Sequence, residues 1–309
     1  MYNEAKTIGR DFARLSKQLV NLRKRSRVAV MVSNEALSAM EWFKLPDGKT
    51  YNDVVRWMYD ELYKMNVECD FIQPSSERLG EYSLIVVPAL YAVPDDALER
   101  LNAFVKGGGH AVYSFKSGFT DENVKVRTSQ QPGIIGEACG VSYSMFAEPK
   151  TVGLTGGSLA LNEEAGSVGT WMELLTPTTA ETEVLAAYDH PQWGQYAAIT
   201  RNRFGQGTAT YVGCMTSPET ISRVLKSAVQ EAGLWGDDQE LAFPLIVKTG
   251  LNADDRRIRY YFNYSSKAVS FRFAHSDGRE LLANVSVAAG EQLEIEPWGV
   301  RIGCKRADL

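Results

Sequence analysis

The sequence predicts an α/β protein: a flavodoxin-like or class I glutamine amidotransferase-like, mainly parallel sheet, followed by a small antiparallel all-β domain. Three observations carry this. Apolar, β-branched runs such as "RVAVMVS" (27–33) and "YSLIVVPAL" (82–90) read as strands covered on both faces. Helix-length segments separate these strands, so the connections are crossovers and the strands parallel. Past about residue 240 the helical period disappears, and short strands alternate with turn residues.

Taken in order, Ile8, Phe12, Leu15, Leu19 and Leu22 recur at spacings of four and three, one apolar helical stripe that needs a partner surface. Arg10, Arg14, Lys17, Arg23, Lys24 and Arg25 share the opposite, solvated face. The strand 27–33 leads into an expected loop carrying Trp42, Phe43, Pro46 and Gly48. Tyr51, Val54, Val55, Met58, Leu62 and Met65 trace the next helix, followed by strands at 67–72 and 82–90. A helix then begins at Pro94 with Asp95 and Asp96 and ends at Gly107, its C-cap, before the strand "HAVYSF" (110–115). The three glycines 107–109 thus follow a helix, whose carbonyl-rich end repels phosphate, and form a turn instead of a nucleotide loop. From 140 to about 200 the chain is loop- and strand-like. Residues 196–213 form a hairpin about Gly205 and Gly207, expected at the sheet edge, and a helix over about 218–232 follows. These patterns divide the chain into a linker helix (1–26), an amidotransferase-like domain (27–236) and a β-sandwich (237–309).

Composition narrows the function. A chain of 309 residues with net charge −5 is no general ligand for nucleic acid or anionic membranes. Cys69, Cys139, Cys214 and Cys304 form no C-x-x-C pair, and with His110, His190 and His275 equally scattered no metal or cofactor is expected. The N-terminal residues are charged in every turn, which excludes a signal peptide or anchor and predicts a cytoplasmic protein. The two N-x-S matches, at Asn263 and Asn284, are then chance.

Open parallel sheets place functional groups at the carboxyl ends of their strands. A ligand site there would draw on Asn34 and Glu35 after the first strand, Trp42 beyond them, Gln73 after the second and Lys116 after the fourth. An amidotransferase would place a nucleophilic cysteine on the elbow after the fourth strand, but the chain reads Phe115-Lys116-Ser117-Gly118. Ser114 and Ser117 lack a G-x-S-x-G setting and an evident histidine base. The acidic pairs Glu163-Glu164, Asp237-Asp238 and Asp254-Asp255 are adjacent in sequence and read as surface turns; a glycosidase places its two acids on separate strand ends. Trp42, Phe43, Trp171 and Trp193 read as loop aromatics suited to packing or subunit contact.

Segments 2–19, 26–42, 51–91 and 101–126 ("YNEAKTIGRDFARLSKQL", "SRVAVMVSNEALSAMEW", "YNDVVRWMYDELYKMNVECDFIQ…", "LNAFVKGGGHAVYSFKSG…"), in this order, resemble the region after the catalytic barrel in glycoside hydrolase family 42 β-galactosidases. The resemblance covers nearly the whole chain. It implies a middle domain that mediates trimer formation, a small terminal β-domain, and catalytic glutamates carried by a (β/α)₈ barrel for which this sequence has too few strand-helix pairs. No catalytic residue of the family maps onto this chain. The expected partner is therefore the chain itself, as a homotrimer, or a barrel-bearing β-galactosidase chain. A different class of function is a stand-alone sugar-binding module or weak hydrolase using the strand-end cleft.

Overall fold

The computed structural model describes residues 2–159, 161 and 166–305. It divides into two compact units: residues 26–62 with 69–234, and a discontinuous unit of 1–25, 63–68 and 235–309. The chain begins with α1 (Tyr2–Leu19). Then follow β1 (Val28–Met31), α2 (Asn34–Trp42), α3 (Tyr51–Lys64), β2 (Cys69–Ile72), β3 (Leu84–Val87), α4 (Asp95–Lys106) and β4 (His110–Ser114). The strand-rich stretch comprises a short α5 (Gly136–Cys139), β5 (Val141–Ser142), β6 (Phe146–Ala147), β7 (Gly153–Thr155), β8 (Val168–Glu173) and β9 (Thr176–Pro177). It continues through β10 (Thr182–Asp189), β11 (Ala197–Phe204), β12 (Gly207–Val212) and β13 (Cys214–Thr216) to α6 (Pro218–Glu231). The remaining strands are β14 (Leu245–Leu251), β15 (Arg257–Asn263), β16 (Val269–Arg272), β17 (Gly278–Glu280), β18 (Val285–Val287), β19 (Gln292–Ile295) and β20 (Val300–Lys305).

In the larger unit an eight-stranded sheet runs β2-β1-β3-β4-β12-β11-β10-β7. The pairings from β2 to β12 are parallel, and those from β12 to β7 antiparallel. The sheet is therefore mixed, whereas a mainly parallel one was expected. The reason is local: β10, β11 and β12 follow one another through short connections, which leave successive strands antiparallel. The 197–212 hairpin also lies inside the sheet, where β12 pairs with β4 and is buried along its whole length. Every residue of β1 and β3 is buried, as their unbroken apolar runs require. Residues 34–42, expected as a loop, form α2, because the Ser33 hydroxyl caps the helix by accepting from the Ala36 N–H while Ala36, Ala39 and Met40 face the core. Gly107 closes α4 through its N–H to the Ala103 carbonyl, and a Cβ on Gly109 would strike the Phe104 ring.

The discontinuous unit is built on the antiparallel sheet β14-β15-β20-β17-β18. On one side the ribbon β16-β19 encloses a core of Leu245, Val247, Tyr261, Phe271, Phe273, Val287 and Ile295. A second cluster holds Ile258, Leu281, Ile302 and Cys304, and α1 covers it with Leu15 and Leu19, joined by Leu22. Three of the five residues in the predicted helical stripe thus have their partner surface; Ile8 and Phe12 stay 55% and 63% exposed. Arg14, from the basic face, donates to the carbonyls of Leu281 and Leu282 at 2.9 Å. Asn66 fixes residues 63–68 to the same sheet, donating to the Leu241 carbonyl and accepting from the Val247 N–H, both at 2.8 Å.

Candidate functional site

The elbow after β4 is the chemically unusual place in the larger unit. Lys116 holds a left-handed backbone (φ 62°) and Gly118 another (φ 74°), where a Cβ would lie 2.6 Å from the Pro132 carbonyl oxygen. The two serines flanking Lys116 are buried and committed. Ser114 Oγ accepts from the Ala89 N–H at 2.7 Å, and Ser117 Oγ from the Leu90 N–H at 3.2 Å, so both stitch the elbow to the end of β3. The histidines are engaged elsewhere: His110 with Thr208, His190 stacked on Trp193, and His275 with Asp238. Neither serine therefore has the base a nucleophile needs.

Beneath the elbow lies a carboxylate that sequence reasoning missed. Glu173, the last residue of β8, is fully buried. Its Oε1 accepts from the Lys116 N–H (2.8 Å), the Tyr143 hydroxyl (3.0 Å) and the Trp171 indole N–H (3.2 Å); Oε2 accepts from the Tyr211 hydroxyl (2.8 Å). Its backbone carbonyl accepts from the Tyr188 hydroxyl at 2.7 Å. Burial pushes the Glu173 pKa up to about 7, against the pull of the four donors. Lys116 answers it from above: its Nζ sits 4.2 Å from the Trp171 ring centroid and 5.1 Å from that of Tyr91. Burial lowers the Lys116 pKa to about 8, with the charge of Glu173 opposing. A carboxylate with no exposed surface and four internal donors cannot meet a substrate. It acts as a strut joining the elbow to Tyr143, β8 and β12. The only sequence signal for it was a lone acid in the apolar run "WMELL".

The five residues proposed for a strand-end site lie at or beyond the carboxyl ends of β1, β2 and β4. Asn34 and Glu35 are exposed in the first turn of α2, where Glu35 accepts from the Ser33 hydroxyl at 3.0 Å. Trp42 ends α2 fully in solvent, and the Gln73 carbonyl closes a turn by accepting from the Ser76 N–H. Among the described residues no hydrogen bond, ion pair or ring contact joins Lys116 to the other four. Of the expected loop aromatics, Trp171 is a buried β8 residue and Trp193 stacks on His190 at 4.1 Å. An open cleft of about 510 Å³ lies at the amino ends of the strands, between Arg27, Ser83, Arg100 and Gly107–109.

The acidic pairs separate in the same way. Glu163-Glu164 falls outside the described residues. Asp238 is more than a surface turn: it accepts from Arg259 Nε at 3.1 Å and pairs with His275 Nε2 at 2.7 Å. Asp255 forms an exposed ion pair with Arg23. Among the described residues no group of three His, Cys, Asp or Glu side chains could hold a metal, and no helix is long and apolar enough to cross a membrane.

Residues 26–235 match the family model described as the β-galactosidase trimerisation domain. The β-galactosidase BgaB of a Geobacillus species is 31% identical over 228 residues, covering 73% of this chain and 33% of the relative. BgaP of a Planococcus species is 26% identical over 99% of this chain and 45% of its own length. The chain thus spans between a third and a half of the length of these two relatives. In fold it is similar to the β-galactosidase of Bacillus circulans sp. alkalophilus (TM-score 0.85, 24% identity), covering 99% of this chain and 45% of that one. The resemblance in sequence order, the mixed sheet and the strand-rich terminal unit agree with these matches, and the chain belongs to the β-galactosidase trimerisation-domain family.

Proposed function

We propose that this chain is the non-catalytic assembly region of a β-galactosidase, self-associating as a homotrimer or joining barrel-bearing β-galactosidase chains. The observation that carries the reading is the family match over 26–235, the residues that also hold the elbow. The elbow supports it chemically: an amidotransferase-like nucleophile position is filled by a lysine whose backbone rests on a sealed carboxylate. The order β2-β1-β3-β4 with β12 as the fifth parallel strand favours a flavodoxin-like ancestry for this sheet. In this reading residues 27–236 are the assembly domain, 237–309 a β-sandwich and 1–26 its helical lead-in, and the paired acids for retaining hydrolysis belong to a barrel.

Light scattering after size exclusion tests the assembly. The expected species has three times the 34.3 kDa mass of the chain, and a strict monomer at high concentration overturns self-association as a homotrimer. A chromogenic galactoside tests the other half. No turnover is expected from the chain alone; hydrolysis abolished by changing one of its own carboxylates would refute the non-catalytic assignment.

A further inference from the structure

We infer that an aromatic rim at the carboxyl edge of the large sheet is the surface through which one copy of this chain grips the next. The inference rests on the trimer reading above and names its contact. Four large apolar side chains stand out of the larger unit there: Trp42 (89% exposed) and Phe43 (59%) at the end of α2, Met145 (49%) and Phe146 (48%) at β6.

The rim is not a set of loose side chains. Phe43 lies 6.3 Å from Tyr91, Tyr91 stacks on Phe119 at 5.7 Å, Phe119 meets Phe146 edge-on at 5.9 Å, and Phe146 stacks on Trp171 at 4.6 Å. This row of rings connects the two exposed ends, and Lys116 pins it by lying over both Tyr91 and Trp171. Phe43 and Phe146 are thereby held in place before any partner arrives, which lowers the entropy cost of docking.

Composition and area point to a protein occupant. Trp, Phe and Met are the residue types enriched at the centres of interfaces. An aromatic side chain carries about 150–250 Å² of surface, so these four supply roughly half of the about 800 Å² that a standard interface takes from each partner. The second copy is the occupant because the rim belongs to the residues that match the trimerisation model. A three-fold ring uses heterologous contacts, so the rim meets a different surface of the neighbour, and one substitution is felt at all three interfaces.

Sedimentation velocity on the full chain tests this with Trp42→Asp and Phe146→Asp, each checked for native circular dichroism, against Trp298→Asp, an exposed tryptophan of the other unit. The rim variants should weaken association about 100-fold, the loss typical of a hot-spot anchor, and the control should not. A wild-type trimer that persists in both rim variants, or that only the control dissolves, overturns the rim and leaves the trimer reading standing. A monomeric wild type overturns both. Quenching of Trp42 fluorescence by galactose, with the trimer intact in Trp42→Asp, would make the rim a sugar platform and end the proposal.

Discussion

Glu173 and Lys116 form a pair that solvent barely reaches, and their chemistry shows most clearly in pH dependence. An amide at position 173 would turn an N–H group toward at least one of the Lys116, Tyr143, Trp171 and Tyr211 donors. Glu173→Gln should therefore cost about 3 kcal/mol in urea unfolding. The carboxyl's folded pKa of about 7 lies above its ordinary 4.5, so its contribution to stability is full below pH 4.5 and is lost as pH rises through 7. Lys116 runs the other way. Its folded pKa of about 8 lies below 10.5, so its contribution is present above pH 10.5 and is lost as pH falls through 8. Lys116→Met should consequently flatten the rise in stability between pH 8 and 10.5. Thermal melts across that range check it. The elbow itself was legible, because Lys116-Ser117-Gly118 follows an evident strand. Its carboxylate was not: Tyr143 and Tyr211 stand 30 and 38 residues from Glu173, and no local pattern joins them.

Helices announce themselves when their buried side chains are large. Leu15, Leu19 and Leu22 made α1 readable, and Leu15 is the one of them that lies fully inside. Leu15→Ala should lower unfolding free energy by about 3 kcal/mol, while Phe12→Ala, in solvent, should stay within about 0.5 kcal/mol; parallel denaturant titrations distinguish the two. In α2 the inward residues are Ala36, Ala39 and Met40, so the apolar stripe is faint and the aromatic Trp42-Phe43 pair suggested a loop. The cap at Ser33 was the available clue. Strands behaved similarly. The unbroken runs of β1, β3 and β4 identified themselves, but the sheet order did not, since nothing local says that β12 pairs with β4 or that β10 and β7 extend the sheet beyond β11.

Across the whole molecule, the family match ends near residue 235, while the compact units interleave: residues 63–68 fall inside the matched span yet hydrogen-bond to β14, and α1 covers the terminal sheet from the other end of the chain. The C-terminal β-structure is therefore completed by residues from two earlier stretches. Cloning 237–309 by itself would strip Leu15 and Asn66 from their places, baring one apolar wall and leaving the Val247 amide without its acceptor. Soluble expression of that fragment would need the missing wall and acceptor to be supplied in trans.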